Sequence, residues 1–212
     1  VLRMILCELG RIIDHTFCLQ GMTLEGRDEY DSFSFIHIRE KLLNLLERYC
    51  GARVNPNLCR IGGLAYDLPP SWSSDCLIIL KSIQKDVELI YKTLNRTKEW
   101  IEKNRVGIMT AQKALEWGIS GPNLRASGVN YDIRKASPYY FYGDVDFDTP
   151  IGLEGSAYDR YLVRMEEIFQ SIRIINQLIN NLPTGDVKGP FYEYLANNKD
   201  SLSAYHDFLR EI

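Results

Sequence analysis

The chain has no long apolar run. Its most continuous stretches, such as Cys76 to Leu80, fall far short of the roughly 20 apolar residues that cross a bilayer. It shows no signal-peptide pattern. Five cysteines (Cys7, Cys18, Cys50, Cys59 and Cys76) never form a C-x-x-C pair, so their spacing offers no metal or cluster ligand set. An odd count without close pairs fits reduced, partly buried thiols in a cytosol-like compartment. Only three histidines are present, His15, His37 and His206, and none sits in a nucleophile–base pattern with serine or cysteine. A phosphate loop and a dinucleotide fingerprint are both missing, so no nucleotide-binding motif is present. An excess of one charge is missing too. The 25 basic and 28 acidic residues leave −3, which gives no basis for a nucleic-acid surface or a polybasic membrane patch.

What is present is helical periodicity over a length that buries a real core. Residues 2–24 predict a helix with an apolar stripe at Leu2, Ile5, Leu6, Leu9, Ile12, Ile13, Phe17 and Leu19, with Arg3, Glu8, Arg11 and Asp14 off it. Residues 33–50 predict a second, through Phe35, Ile38, Leu42, Leu45, Leu46 and Tyr49, stopped by Gly51. Residues 51–70 carry Gly51, Pro56, Gly62, Gly63, Pro69 and Pro70 and read as irregular. A long helix is expected over 75–103, along Leu77, Leu80, Ile83, Val87, Ile90 and Leu94. Thr110 can cap a short helix ending near Gly118. Tyr139 to Tyr142 and Val145 to Phe147 suggest short extended pieces. The last long helix is expected over about 155–182, on Tyr158, Leu162, Met165, Phe169, Ile172, Ile175 and Ile179, ended by Pro183 and Gly185. Residues 184–198 read as polar and loose, and 201–211 as a short helix. The expected fold is mainly α: a bundle of three to four long helices with a small irregular or short-strand arm. Residues 1–183 are expected to form the helical domain and 184–212 a connector.

Two arginines stand out. Arg125 and Arg134 lie in GISGPNLRASGVNYDIRK, residues 118–135, where Gly118, Gly121, Gly128 and Pro122 predict a shaped loop rather than regular structure. Arginines in such loops grip carboxylates, phosphates or carbonyls. With Asp132, Asp159, Arg160 and Arg164 they make the largest charged set, read as an ion-pair lattice fixing the loop to the last helix. Glu8 and Arg11, three apart, read as a local ion pair. His15, four further on, reads as a capping-type histidine.

These strings occur together with others in a fixed order. They are Glu8-Leu9-Gly10-Arg11-Ile12 with His15, Arg39-Glu40-Lys41, Gly51-Ala52-Arg53, Arg60-Ile61-Gly62-Gly63, Asp67-Leu68-Pro69 and DVDFDTPIGLEGSAYDRYLVRMEE from residue 144. The set closely resembles the D subunit of proton-pumping NADH:quinone oxidoreductase, respiratory complex I. That subunit is a relative of nickel–iron hydrogenase large subunits. The likeness runs from about residue 2 to about 183 and implies a hydrogenase large-subunit-like fold. It also implies that the chain is the central part of a longer subunit and is inactive alone.

By that resemblance the chain would help shape the quinone chamber beside the terminal iron–sulfur cluster, in NADH-driven quinone reduction coupled to proton translocation. His15 and Glu25 would be the proton-relay residues, Glu25 falling where the family usually has an aspartate. The quinone ligands themselves are expected before Val1. Arg60, Gly62, Gly63 and Asp67 would face the cluster-carrying subunit. Arg125, Asp132, Arg134, Asp159, Arg160 and Arg164 would be structural or interface residues. No metal or cofactor would be bound by this chain itself; quinone would be the substrate, and the cluster would belong to a neighbour. Implied partners are the B, C and membrane H subunits. The implied place is the peripheral arm on the cytoplasmic face of the inner membrane, or the matrix side in a eukaryote. Two departures from the family pattern stand in the chain. Residues Arg27 to Ser32 replace a glycine and a threonine–proline–phenylalanine run, and Leu64, Ala65 and Tyr66 occupy a link where many relatives have a histidine. A membrane-bound hydrogenase large subunit and a non-catalytic assembly scaffold are the alternative readings.

Overall fold

The computed structural model describes residues 1–25 and 29–189, with the side chains of 25 and 29–31 set aside. The expected short helix at 201–211 and most of the 184–198 connector lie outside the described residues.

Four long helices build the core. Helix α1, Leu2–Glu25, packs along α2, Glu29–Cys50, and along α8, Ala157–Asn180. Helix α3, Trp72–Leu94, closes the bundle against α2 and α8. The core positions of α2 are as expected: Phe35, Ile38, Leu42, Leu45, Leu46 and Tyr49 are all buried. Gly51 ends this helix at φ +74°, donating its N–H to the Glu47 carbonyl. Trp72 anchors α3 by giving its indole N–H to the Leu45 carbonyl and stacking at a tilt on Tyr49.

On α1 the stripe differs from expectation. Phe17 is 58 % exposed, whereas Glu8 is completely buried between Ile5, Leu9 and Ile12. The 3.6-residue turn puts position 8 on the same face as 5, 9 and 12. Its partners, described below, make a buried acid tolerable there.

The single helix expected over 75–103 is two. Helix α3 stops at Leu94, and α4, Lys98–Asn104, restarts after a turn at Asn95–Thr97. The break redirects the chain so that Trp100 enters the core edge-on to Tyr158 and Tyr161. Asn95 Oδ1 accepts the Tyr158 hydroxyl hydrogen at 2.7 Å, fixing the corner to α8.

The glycine-rich segment is not a plain loop. It contains α6, Gly121–Ala126, and α7, Ile133–Ala136, after α5, Ala111–Glu116. Pro122 sits in the first turn of α6, where its missing N–H costs nothing. Thr110 caps α5 as expected, accepting the Lys113 N–H. The aromatic run forms a short 3-10 turn, Tyr142–Asp144, instead of extended pieces.

Helix α8 begins with a capping box: Ser156 Oγ accepts the Asp159 N–H, and Asp159 accepts the Ser156 N–H. Met165, Ile172, Ile175 and Ile179 of its expected stripe are buried, while Tyr158, Leu162 and Phe169 are half-buried. The irregular arm holds one antiparallel hairpin, β1, Cys59–Arg60, paired with β2, Gly63–Leu64. None of the described helices is long and apolar enough to cross a membrane.

Gly155 ties the arm before α8 to the rest. It has φ +70°, and a Cβ there would stand 2.1 Å from the Met109 carbonyl oxygen. Gly118, at φ +64°, has open space around its Cβ position. Gly155→Ala is therefore expected to cost about 1–3 kcal/mol more than Gly118→Ala, since only the first adds a backbone clash. Urea denaturation of both variants checks this, and equal losses would refute it.

Candidate functional site

The centre of the molecule holds two fully buried carboxylates, Glu8 on α1 and Glu167 on α8. Each takes an arginine from the 118–135 segment. Arg134 Nη1 lies 3.1 Å from both Glu8 oxygens, and Arg125 Nε lies 2.7 Å from Glu167 Oε1. The segment is thereby clamped between the two helices it crosses.

Glu8 is saturated. Its Oε1 accepts the Tyr142 hydroxyl at 2.6 Å, and its Oε2 accepts Ser171 Oγ at 2.6 Å and Arg11 Nε at 3.3 Å. Burial alone would raise its pKa. Arg11, Arg134, Ser171 and Tyr142 outweigh burial and hold it below the usual carboxylate range. Arg134, 1 % exposed, also binds Asp132 through Nε at 3.0 Å and Nη2 at 2.7 Å, and its guanidinium lies 4.7 Å from the Phe147 ring centre. Despite burial, Asp132 and Glu8 raise the Arg134 pKa, so this cation is permanent.

Glu167 has fewer partners. Arg125 grips Oε1 with Nε and Nη2, and His15 Nε2 donates to Oε2 at 2.6 Å. Burial pushes the Glu167 pKa up, but His15 and Arg125 together hold it below the ordinary value. His15 is 3 % exposed, and its Nδ1 is buried with no hydrogen-bond partner among the described residues. The nearest acid to that nitrogen is Asp14, whose Oδ2 is 3.9 Å away. A carboxylate, two guanidinium nitrogens and one imidazole in a buried interior can fix a geometry.

The structure brings only part of the expected charged set together. Arg125, Asp132 and Arg134 join the two buried centres. Asp159, Arg160 and Arg164 form no ion pair among the described residues. Asp159 caps its own helix, and Ser156 and the Leu153 N–H keep its carboxyl ionised against the opposing effect of burial. Arg160 donates to the Gly155 and Gly107 carbonyls, and Arg164 to the Arg160 carbonyl and Asn123 Oδ1. The expected lattice thus lacks three of its members: Arg160 and Arg164 spend their donors on backbone carbonyls and Asn123 Oδ1, and the Asp159 carboxylate accepts from Ser156 and the Leu153 N–H instead. Its real acids, Glu8 and Glu167, come from helices that flank it. The local ion pair expected for Glu8 and Arg11 is present, and it forms one edge of the buried Glu8 centre.

The hairpin residues sit apart from this centre. Arg3 Nη2 donates to the Arg60 and Gly63 carbonyls at 2.6 and 2.7 Å, pinning the hairpin to the start of α1. Gly62 and Gly63, at φ +83° and +157°, allow a close backbone approach, and what approaches is the chain's own 187–189 segment. Leu64 N–H donates to the Val187 carbonyl, and a Cβ on Gly63 would stand 2.2 Å from that oxygen. Asp67 is exposed and accepts the Leu68 N–H. The side chain of Glu25 lies outside the described residues. Among those described, no group of three or more His, Cys, Asp or Glu could hold a metal ion.

Residues 31–210 match the family described as respiratory-chain NADH dehydrogenase, 49 Kd subunit. The chain belongs to that family. It is 44 % identical over 186 residues to the NADH-quinone oxidoreductase C/D subunit of Bdellovibrio bacteriovorus, a match that covers 87 % of this chain and 33 % of the relative. It is 42 % identical over 184 residues to the D subunit of the Leptospira biflexa enzyme, covering 86 % of this chain and 45 % of that one. The D subunit from Ehrlichia chaffeensis is 40 % identical over 188 residues, 88 % of this chain and 48 % of the relative. The chain spans between a third and about half the length of these relatives. The resemblance read from the sequence strings is thus the right one. Within this member of the 49 Kd family, sequence reasoning missed Glu167 altogether. The signal was there: a Glu between Met165 and Ile168 on an apolar helix face, opposite two loop arginines that need acids.

Proposed function

We propose that the chain is the central part of a complex I D subunit, acting in NADH-driven quinone reduction coupled to proton translocation. Its long helices would form a wall of the quinone chamber, next to the terminal iron–sulfur cluster of a neighbouring subunit. The family match over residues 31–210 carries this reading. The chain would bind no cofactor itself. Its role would be positioning, electrostatics and proton supply. His15 and Glu25 are the candidates for proton supply: His15 because a buried imidazole nitrogen has no partner among the described residues, Glu25 because it is an acid at the end of the same helix. The B, C and membrane H subunits would be the partners, with the hairpin around Gly62 and Gly63 turned towards the cluster carrier. The place would be the peripheral arm at the membrane.

The test is activity in membranes carrying the full-length subunit, wild type against Glu25→Gln and His15→Gln. NADH-dependent quinone reduction is expected to fall several-fold in both variants. Reduction of ferricyanide, which does not need the quinone chamber, should stay unchanged, as should the amount of assembled complex. If quinone reduction is also unchanged, the second reading wins: an assembly scaffold with this fold. One observation favours that second reading. Glu8 and Glu167 are satisfied entirely by groups of this chain, as a purely structural core would have them.

A further inference from the structure

We propose that the groove between α1, α2 and residues 53–59 is a docking site for the cluster-carrying neighbour, whose seated segment brings an apolar side chain and, to Arg39, one aspartate or glutamate. This rests on the reading above, which turns the adjoining hairpin towards that subunit. The groove holds about 270 Å³. Its walls are apolar: Leu6 and Ile13 from α1, Leu43 and Leu46 from α2, and Leu58 just before β1. Two arginines lie on it, and the chain treats them differently. Arg53 is paired within the chain, by the Glu40 and Glu47 carboxylates and by Asn44 Oδ1. Arg39 has no ion pair or hydrogen bond among the described residues, and its Nε is buried without an acceptor. Its guanidinium lies 5.2 Å from the ring centre of Phe17, a side chain left exposed. A buried N–H of a cation is costly to leave unsatisfied, and a carboxylate is its strongest acceptor. The two glutamates of α2 on this side already serve Arg53, so the acid must come from outside.

Gly10 adds an independent sign. It lies within α1, where glycine weakens a helix relative to alanine, yet a Cβ there would meet nothing within 4 Å. No described residue uses the space that this glycine leaves; a segment laid in the groove would. Size, charge and position select the occupant. The volume falls below the roughly 300–1,000 Å³ of small-molecule pockets and suits one or two side chains of a passing segment. The unpaired charge is positive, so the segment is acidic. Leu58 and Cys59 line the groove and lead into the hairpin, so groove and hairpin make one continuous face that a single neighbour covers.

The test uses tagged full-length subunit co-expressed with its cluster-carrying neighbour. The photo-crosslinker p-benzoylphenylalanine is placed at Val54, an exposed residue of the groove lip. Illumination is expected to join it to the neighbour, in a peptide that contains an acid. Gly10→Leu fills the groove from a position with open space, so it should abolish the adduct while the subunit melts no lower than wild type. Arg39→Glu should reduce the amount of neighbour that co-purifies by about tenfold or more. An adduct with a different subunit, with a second copy or with another part of the same subunit would overturn the proposal. So would an adduct that survives Gly10→Leu undiminished, or a neighbour yield that Arg39→Glu leaves unchanged. Failure of the neighbour to co-purify even with wild type would instead bring down the functional reading, and this docking site with it.

Discussion

Replacing Glu167 by alanine is expected to destabilise the chain by about 3–5 kcal/mol, the cost of leaving a buried charge without its counter-ion. Arg125 is 4 % exposed, and Glu167 is the carboxylate that takes its Nε and Nη2. Among the described residues, what remains to Arg125 in the variant is one bond to the Tyr131 carbonyl at 3.1 Å. His15 loses its 2.6 Å bond as well, and its other nitrogen is already unpartnered. The corresponding change at Glu8 is expected to cost less, although Glu8 has more partners. Arg134 keeps Asp132 when Glu8 is gone, so its charge stays compensated. A domain is typically stable by only about 5–15 kcal/mol, so the Glu167 variant will be close to unfolding. The double variant Arg125→Met/Glu167→Leu separates the two causes of loss. It removes both charges and keeps apolar volume, and should recover most of the deficit. Urea midpoints of the three proteins measure this. A Glu167→Ala loss below about 1 kcal/mol would show that water or another anion serves Arg125, and would sink the argument.

The same centre shows what the sequence reveals and what it hides. Helices α1, α2 and α8 are legible because their apolar residues recur every three or four positions over six turns, and no other pattern competes. The corner at Asn95–Thr97 is not legible, since none of its residues forbids helix. It exists because Trp100 gains a place against Tyr158 and Tyr161. The glycines and proline of the 118–135 segment read as irregular, yet Pro122 in a first turn starts a helix as well as it ends one. Arg125 and Arg134 are legible as cations that need acids. Their acids are not, because a glutamate on an amphipathic helix reads as solvent-facing unless its exact phase is checked. Glu8 at i+3 from Ile5 and i−4 from Ile12 is in phase with the core. Burial of such a residue is decided by a partner 126 positions away, which no local pattern encodes.

Acid is expected to unfold this chain cooperatively, and the sign follows from the buried carboxylates. Glu8, Glu167, Asp132 and Asp159 all have folded-state pKa values below their ordinary ones. In each case burial works the other way; hydrogen bonds overcome it at Asp159, and hydrogen bonds with cations do so at the other three. The unfolded chain therefore binds protons more readily than the folded one as pH falls. The stability from these groups is fully present above the unfolded carboxylate range of about 4. It declines as pH drops through that range towards the depressed folded values. His15 and Arg125 hold the Glu167 carboxylate, and Arg134 and Arg11 hold that of Glu8, so protonation severs the clamp between α1, α8 and the 118–135 segment at once. The expected profile is a plateau in urea midpoint near neutrality and a steep fall below about pH 4. The double variant Arg125→Met/Glu167→Leu has one fewer such carboxylate, so its slope should be shallower. Parallel acid slopes for the two proteins would mean that Glu167 contributes no proton linkage. Its low folded pKa, and with it the electrostatic account of the α1–α8 clamp, would then be wrong.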